Sequence, residues 1–279
     1  MANSTNSSDD SASTYELLSE VVSKWNALHD RSNIPDFLYH YTTFDGLHNI
    51  LKEQSLRATF SGTLNDGSEW EFGKSVIRKY PVPERISQKL APPPSMVIPP
   101  PEAMFVTCFC EASNLLSMWR SYTEQGGGFC LGFYGPELDK LQRDDLIVGS
   151  FAARLVKMYY GDKPSPQMEQ LLGCCGHSMA EWVLENMIKH QGFQEEQEWR
   201  LIVPDPPASL MSFHSGNASI KASVEIRNHH GDGKLPLKKI VYGPTLRNDT
   251  ALAKTLSWML DKYGYGDVAV NASEIPYRL

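Results

Sequence analysis

Two groups of residues carry the side chains best suited to chemistry. The first is Leu38-Tyr39-His40-Tyr41-Thr42, an aromatic segment with one imidazole in the middle. An imidazole in such a strand must find hydrogen-bond partners or face a cleft, so His40 is either a structural residue or a ligand-binding one. The second group is Glu196 and Glu198, whose carboxylates would share one face if a strand begins at Glu196. A solvated strand start is the alternative for this pair.

Aromatic and basic residues add candidate ligand contacts. Trp119 and Tyr122 lie three apart in SMWRSY, so on a helix they share a face. They are then either a stacking wall for a flat ring, such as nicotinamide or a base, or part of the core. Arg57 in SLRAT has a planar fork suited to a pyrophosphate, and pairing with a nearby acid is its alternative role. The cysteine spacing does not match zinc sites, so no metal is predicted.

Several common enzyme classes are disfavoured because their motifs are missing. The sequence has no GxGxxG, P-loop or GxSxG motif, which argues against a Rossmann dehydrogenase, an NTPase and an α/β-hydrolase. Gly126-Gly127-Gly128 follows a predicted helix and precedes a predicted strand, the reverse of a phosphate-binding loop. Any nucleotide site must therefore be built from the residues above.

The elements that position these residues follow from periodicity and turn signals. Thr43 is placed to cap a helix over FDGLHNILKEQ, and Ser113 or Asn114 to cap one over NLLSMWRSYT. Hydrophobic spacing predicts a helix over about 14–29, two helices over 165–191 and one near the end. Strands are predicted at FLYHYT, SLRAT, AMFVTCFC, FCLGFY, the segment beginning near Glu198, ASIKASVEIR, LKKIVYGP and DVAVNAS.

This mixture predicts an α+β domain. We expect a disordered tail over 1–13 and a single domain over 14–279, with a proline-rich loop at 81–101. The net charge of −7 gives no general attraction to nucleic acid or anionic membranes. The N-terminal residues do not resemble a signal peptide and no long apolar run follows, so we expect a cytoplasmic protein without a membrane partner. The oligomeric state is not predicted.

Several segments in order resemble a bacterial family called domain of unknown function 2971. They are FLYHYTTFDGLHNILKEQSLRAT, LNDGSEWE, MFVTCFCEASNLLSMWRSY, GGGFCLGF, QEEQEWRLIV, KKIVYGP and SEIPYR. The first of them is also similar to the opening of DNA-targeting ADP-ribosyltransferase toxins and, more distantly, of poly-ADP-ribose polymerases. This resemblance implies a split mixed or antiparallel sheet flanked by helices, and a toxin or defence role.

The resemblance also implies NAD as the substrate. It implies that His40 holds the ribose and that Glu198 is the catalytic glutamate, with Glu196 completing an ExE pair. The expected NAD contacts are His40, Tyr41, Thr42, Arg57, Trp119 and Tyr122. A carboxylate fits this role because breaking the nicotinamide-ribose bond develops oxocarbenium character.

Three functional hypotheses follow. The first is an ADP-ribosyltransferase-like enzyme that passes ADP-ribose to a protein, a nucleic acid or water. The second is a binding module that holds a nucleotide or a partner without cleaving it. The third is an interaction protein in which these motifs serve only packing.

Overall fold

The computed structural model describes most of the chain after residue 30. The described residues are 31–63, 68–79, 103–141, 154–175, 184–204, 206–216, 219–229 and 231–276. They belong to two compact units. The larger comprises residues 34–66, 102–158 and 193–279, and the smaller comprises 1–33, 67–101 and 159–192. The predicted tail, first helix and proline-rich loop lie outside the described residues.

The larger unit contains a mostly antiparallel sheet with helices on it. Its strands are β1 (Phe37–Thr42), β2 (Ser55–Phe60), β3 (Met104–Cys110), β4 (Phe129–Tyr134), β5 (Arg154–Lys157), β8 (Glu198–Pro204), β9 (Met211–Gly216), β10 (Ser219–Arg227), β11 (Leu237–Tyr242) and β12 (Ala269–Ala272). Its helices are α1 (Phe44–Glu53), α3 (Leu116–Tyr122), α4 (Gly135–Leu138) and α6 (Leu252–Tyr263). Among the described strands of this sheet, only β11 and β12 pair in parallel. The predicted α+β class and mixed sheet are confirmed.

The smaller unit contains α2 (Ser68–Arg78), β6 (Tyr159–Tyr160), α5 (Pro166–Cys175) and β7 (Ile188–Lys189). β6 and β7 form a parallel pair. The Nζ of the buried Lys189 lies 2.8 Å from Glu69 of α2, which compensates the buried ammonium. The second helix predicted up to residue 191 is wrong at its end, because residues 188–189 are a strand.

The sheet forks at β3. β8 pairs with the full length of β3 along one edge. On the other edge, β1 pairs with β3 only at Cys110, and β2 pairs with it only at Phe105 and Val106. β1 and β2 therefore diverge beside the middle of β3, and α1 connects them. The side chain of Thr43 caps α1 as predicted, since its Oγ1 accepts a hydrogen bond from the Gly46 amide at 3.2 Å.

The two faces of the sheet are distinguished by strand alternation. We call one the α1/α6 face; it carries Leu38, Phe109 and Leu131, which pack in the main core with Leu47 of α1 and Leu256 of α6. We call the other the α3 face; it carries Tyr41, Cys110 and Cys130, which pack with Trp119 of α3. Because residues paired across strands share a face, the register assigns every strand residue to one of the two.

Candidate functional site

His40 lies at the fork of the sheet, on the α1/α6 face. Its cross-strand partner is Leu131, and its ring centroid is 5.9 Å from that of Phe109. The Nδ1 atom lies 2.9 Å from the carbonyl oxygen of Cys108, in the part of β3 that neither β1 nor β2 pairs with. His40 thus fills a gap in the strand pairing, which is a structural role.

The protonation of His40 follows from this contact. Burial lowers its pKa, and the bond to the Cys108 carbonyl opposes that shift. A carbonyl oxygen only accepts, so Nδ1 carries the proton, and Nε2 of the neutral ring is an acceptor. The half-buried ring is therefore neutral at pH 7 and could accept a hydrogen bond from a hydroxyl.

Glu198 lies on the opposite face from His40. It pairs with Cys110 of β3, which pairs with Tyr39 of β1, so these three side chains form one row on the α3 face. His40 follows Tyr39 and projects to the other side. The expected convergence of His40 and Glu198 in one cleft is therefore not formed, because the register places them on different faces.

A buried ion pair fixes the Glu198 carboxylate. The Nε of Arg200 donates to one carboxylate oxygen at 2.6 Å, and Nη2 donates to the other at 3.0 Å. Both side chains are 5% exposed. Two parallel bonds from one guanidinium set the orientation of the carboxylate as well as compensating its charge. This role of Arg200 was not predicted, although its spacing of two from Glu198 on a strand was a signal for it.

Glu196 does not form the expected strand pair with Glu198. Residues Gln191–Glu196 form a 3-10 helix, and Gln197 has a positive φ of 43°, so β8 begins only at Glu198. Both carboxylates still lie near Cys110. Burial raises the pKa of that thiol to about 12, and Glu196 and Glu198 contribute further to the increase.

Tyr41 and Trp119, two of the predicted NAD contacts, pack against each other in the core. Trp119 is fully buried, and its ring meets that of Tyr41 at 4.9 Å and 80°. The Tyr41 hydroxyl donates to the Ala112 carbonyl and accepts from the Leu115 amide. Tyr122 is 38% exposed, so α3 buries one aromatic ring and presents the other to solvent. The predicted stacking pair is not formed.

The remaining predicted contacts lie on different faces. Thr42 pairs with Phe129 and so lies on the α1/α6 face with His40. Arg57 is the cross-strand neighbour of Glu225, so it lies on the α3 face, where its side chain is exposed. The predicted cap of α3 is also wrong: Asn114 accepts hydrogen bonds from the Trp119 indole and from Ser273, so its side chain is not available to the helix amides.

An open cavity of about 420 Å³ lies elsewhere on the larger unit. Its lining includes Lys140, Asp232, Lys234, Lys238 and Tyr265, and none of the predicted site residues. Within the described segments, no His, Cys, Asp and Glu side chains cluster in a way that could hold a metal ion. The helices of those segments are too short or too polar to cross a bilayer.

Residues 118–201 match the model of DUF2971, a family described as a protein of unknown function. The DUF2971 match begins in α3 and ends in β8, so it includes Tyr122, Glu196 and Glu198 but neither His40 nor Arg57. It covers 84 of the 279 residues. No match was found among curated proteins or among solved structures.

Proposed function

We propose that the protein is an NAD-dependent, ADP-ribosyltransferase-like enzyme whose site lies on the α3 face around Glu198. The observation that carries the proposal is the Glu198 carboxylate, which is almost completely buried and held by two hydrogen bonds from Arg200. A carboxylate fixed in this way can stabilise positive charge that develops at a sugar C1 without having to reorganise during the reaction. ADP-ribose then passes to a macromolecular acceptor or to water.

Tyr39 is the neighbouring side chain on this face that would contact a nucleotide. Tyr39 lies in the same row as Glu198, its phenol is half-buried, and Gly132 leaves room for its ring. An alanine Cβ at Gly132 would lie 2.9 Å from that ring. Tyr39 therefore replaces His40 in the proposed site, because His40 projects from the other face.

A second candidate function is nucleotide binding without cleavage. It is favoured by the separation of His40 from Glu198, and by the 4% exposure of Glu198, which leaves little of the carboxylate open to a substrate. On this alternative, the ion pair between Glu198 and Arg200 serves stability alone.

Turnover of NAD distinguishes the two candidates. The full chain is incubated with NAD labelled in the ADP-ribose part and with candidate protein and nucleic-acid acceptors, and nicotinamide release is measured. We expect release by the wild type and a loss of about 100-fold or more in Glu198→Gln, because an electrostatic contact at the reacting centre is lost. The matched control is Glu137→Gln, which alters an exposed carboxylate on α4.

Each outcome has a defined meaning. Release that is unchanged in Glu198→Gln overturns the proposed role of this residue. Thermal stabilisation by NAD without nicotinamide release supports the binding module, since a ligand at about 100 times its Kd adds roughly 2.7 kcal/mol. No stabilisation and no release would refute both candidates.

A further inference from the structure

A polar surface covers the α3 face of three adjacent strands at one side of the sheet. β10 pairs with β2 on one edge and with β9 on the other. The register places the side chains of these strands in rows, and Ser223 lies between Thr59 of β2 and Ser212 of β9. We call this surface the β10 surface; its residues are Arg57, Thr59, Ser212, His214, Lys221, Ser223 and Glu225.

Ser223 is the unusual residue of the β10 surface. It is completely buried, and its Oγ atom has no hydrogen-bond partner. Buried hydroxyl groups in native proteins almost always have a partner, and an exception calls for an explanation such as a missing ion or ligand. Ser223 projects to the same face as the neighbouring cations, and a ligand that binds between them would reach its hydroxyl only by moving the longer side chains of Arg57 and Lys221 aside.

Two cations flank Ser223. Arg57 lies diagonally across the strand pair from Ser223, and Lys221 lies two residues before it on the same face. Among the described residues, neither side chain forms an ion pair closer than 4 Å. The nearest carboxylate on the surface, Glu225, is already paired with Arg227. The β10 surface therefore carries positive charge that its own carboxylate does not neutralise.

The pKa of His214 responds to the same two positive charges. His214 pairs directly with Lys221 across the strands. Its pKa is lowered, first by burial and then by the charges of Arg57 and Lys221. Both cations thus act on one region of the surface, although Arg57 lies two strands away from His214.

We propose that the β10 surface binds a phosphate group of a small molecule, with Arg57 and Lys221 as its cationic ligands and Ser223 as a hydroxyl donor. A guanidinium fork matches phosphate geometry, the ammonium adds a point charge, and the hydroxyl donates a hydrogen bond to a phosphate oxygen. The half-buried Thr59 beside Ser223 offers a second hydroxyl.

This site is separate from the one around Glu198. Ser223 lies in the same cross-strand row as Val106, and Glu198 lies in the row of Cys110. Ser223 and Glu198 are also three strands apart, so strand spacing separates them by roughly 20 Å. The phosphate proposal does not rest on NAD cleavage, and each can fail without the other.

Binding of simple phosphates to the full chain tests the proposal. Inorganic phosphate, pyrophosphate, AMP and adenosine are titrated by calorimetry at low salt, and the His214 ring is followed by NMR. We expect saturable binding of at least one phosphate, none of adenosine, and an increase in the pKa of His214 when the anion is bound. Binding of AMP but not of inorganic phosphate or pyrophosphate would identify a nucleotide as the source of the phosphate.

Three variants distinguish a specific phosphate-binding site from attraction of the anion by general surface charge. Arg57→Gln should weaken binding roughly 10-fold or more, since hydrogen bonds to charged groups are among the stronger ones. Ser223→Ala should also weaken it while leaving the ligand-free protein as stable as the wild type, because the lost hydroxyl has no partner there. Arg247→Gln, outside the surface, is the matched control and should bind as the wild type does.

The proposal is overturned by either of two results. One is the absence of saturable binding for all three phosphates. The other is binding that Arg57→Gln and Ser223→Ala leave unchanged, or that Arg247→Gln weakens equally, because the anion would then respond only to net charge.

Discussion

Removing Arg200 should destabilise the protein far more than removing a similar arginine at the surface. Arg200→Met deletes both hydrogen bonds to Glu198 and leaves a carboxylate that is 5% exposed without the guanidinium that compensates its charge. Breaking a buried ion pair by removing one partner costs about 3–5 kcal/mol. Since domains are stable by roughly 5–15 kcal/mol, this is a large part of the total.

The chain contains a matched control for this change. Arg227 also lies two residues after a glutamate on a strand and pairs with it, but the side chains of Arg227 and Glu225 are 42% and 27% exposed. Arg227→Met should therefore cost only about 0–1 kcal/mol for the exposed pair, as is usual, and about 1 kcal/mol for the hydrogen bond that Arg227 donates to the Glu53 carbonyl. Adding Glu198→Gln to Arg200→Met should recover much of the loss, because the buried charge that has lost the guanidinium is removed.

Urea denaturation followed by tryptophan fluorescence measures these free energies of unfolding, with the m value as a check that the transition is of the same kind. A loss below about 1 kcal/mol in Arg200→Met would refute the reasoning, since the pair would then behave like a surface pair. Equal losses in Arg200→Met and Arg227→Met would refute it too, because burial would not be the deciding variable.

Three other predictions concern structural residues. Tyr41→Phe should cost about 1–3 kcal/mol in urea denaturation, because the Leu115 amide loses its acceptor and the Ala112 carbonyl keeps only the Cys110 thiol as a donor. No loss would show that water replaces the hydroxyl. The wild type should lose stability relative to His40→Gln as the pH falls below 6.5, since the pKa of His40 is lowered on folding and the unfolded chain binds more protons. An NMR titration that gives His40 an ordinary pKa would contradict this. Gly73→Ala should lower the melting temperature, because the added Cβ would lie 2.0 Å from the Glu185 carbonyl oxygen. The overpacking costs about 1–3 kcal/mol, whereas alanine favours the helix over glycine by at most about 1 kcal/mol. A higher melting temperature would mean that the backbone moves to accept the methyl group.

Much of the sheet could be predicted because its signals are local. The aromatic run of β1, the Thr43 cap and the apolar continuation after Glu198 each act within a few residues, and the structure contains β1, α1 and β8 at those places. β9 was missed because MSFHSG contains only two apolar residues and no β-branched one, although Met211 and Phe213 alternate with Ser212 and His214. Its pairing with residues 219–224 of β10 supplies the backbone partners that its composition does not suggest.

The candidate site was less predictable, because it depends on contacts that are distant in sequence. Asn114 has the side chain of a helix cap, but it accepts hydrogen bonds from Trp119 and from Ser273, the second of which lies 159 residues away. Ser223 carries no motif at all. It becomes notable only once the register places it beside Arg57 of β2 and Lys221 of its own strand, and its hydroxyl has no hydrogen-bond partner.

The faces of His40 and Glu198 depend on the register across three strands. A shift of one residue in the β1–β3 or β3–β8 pairing would move one of the two side chains to the other face, and the order of motifs along the chain does not define that shift. In the observed register, Tyr39 shares a row with Glu198 and His40 does not. If NAD is cleaved at this site, Tyr39→Phe should therefore reduce turnover per folded molecule about 10-fold or more, as expected for loss of a positioning contact. His40→Gln should change stability alone. The reverse result, a loss in His40→Gln but not in Tyr39→Phe, would place the reacting bond on the α1/α6 face and show that Glu198 has no part in the chemistry.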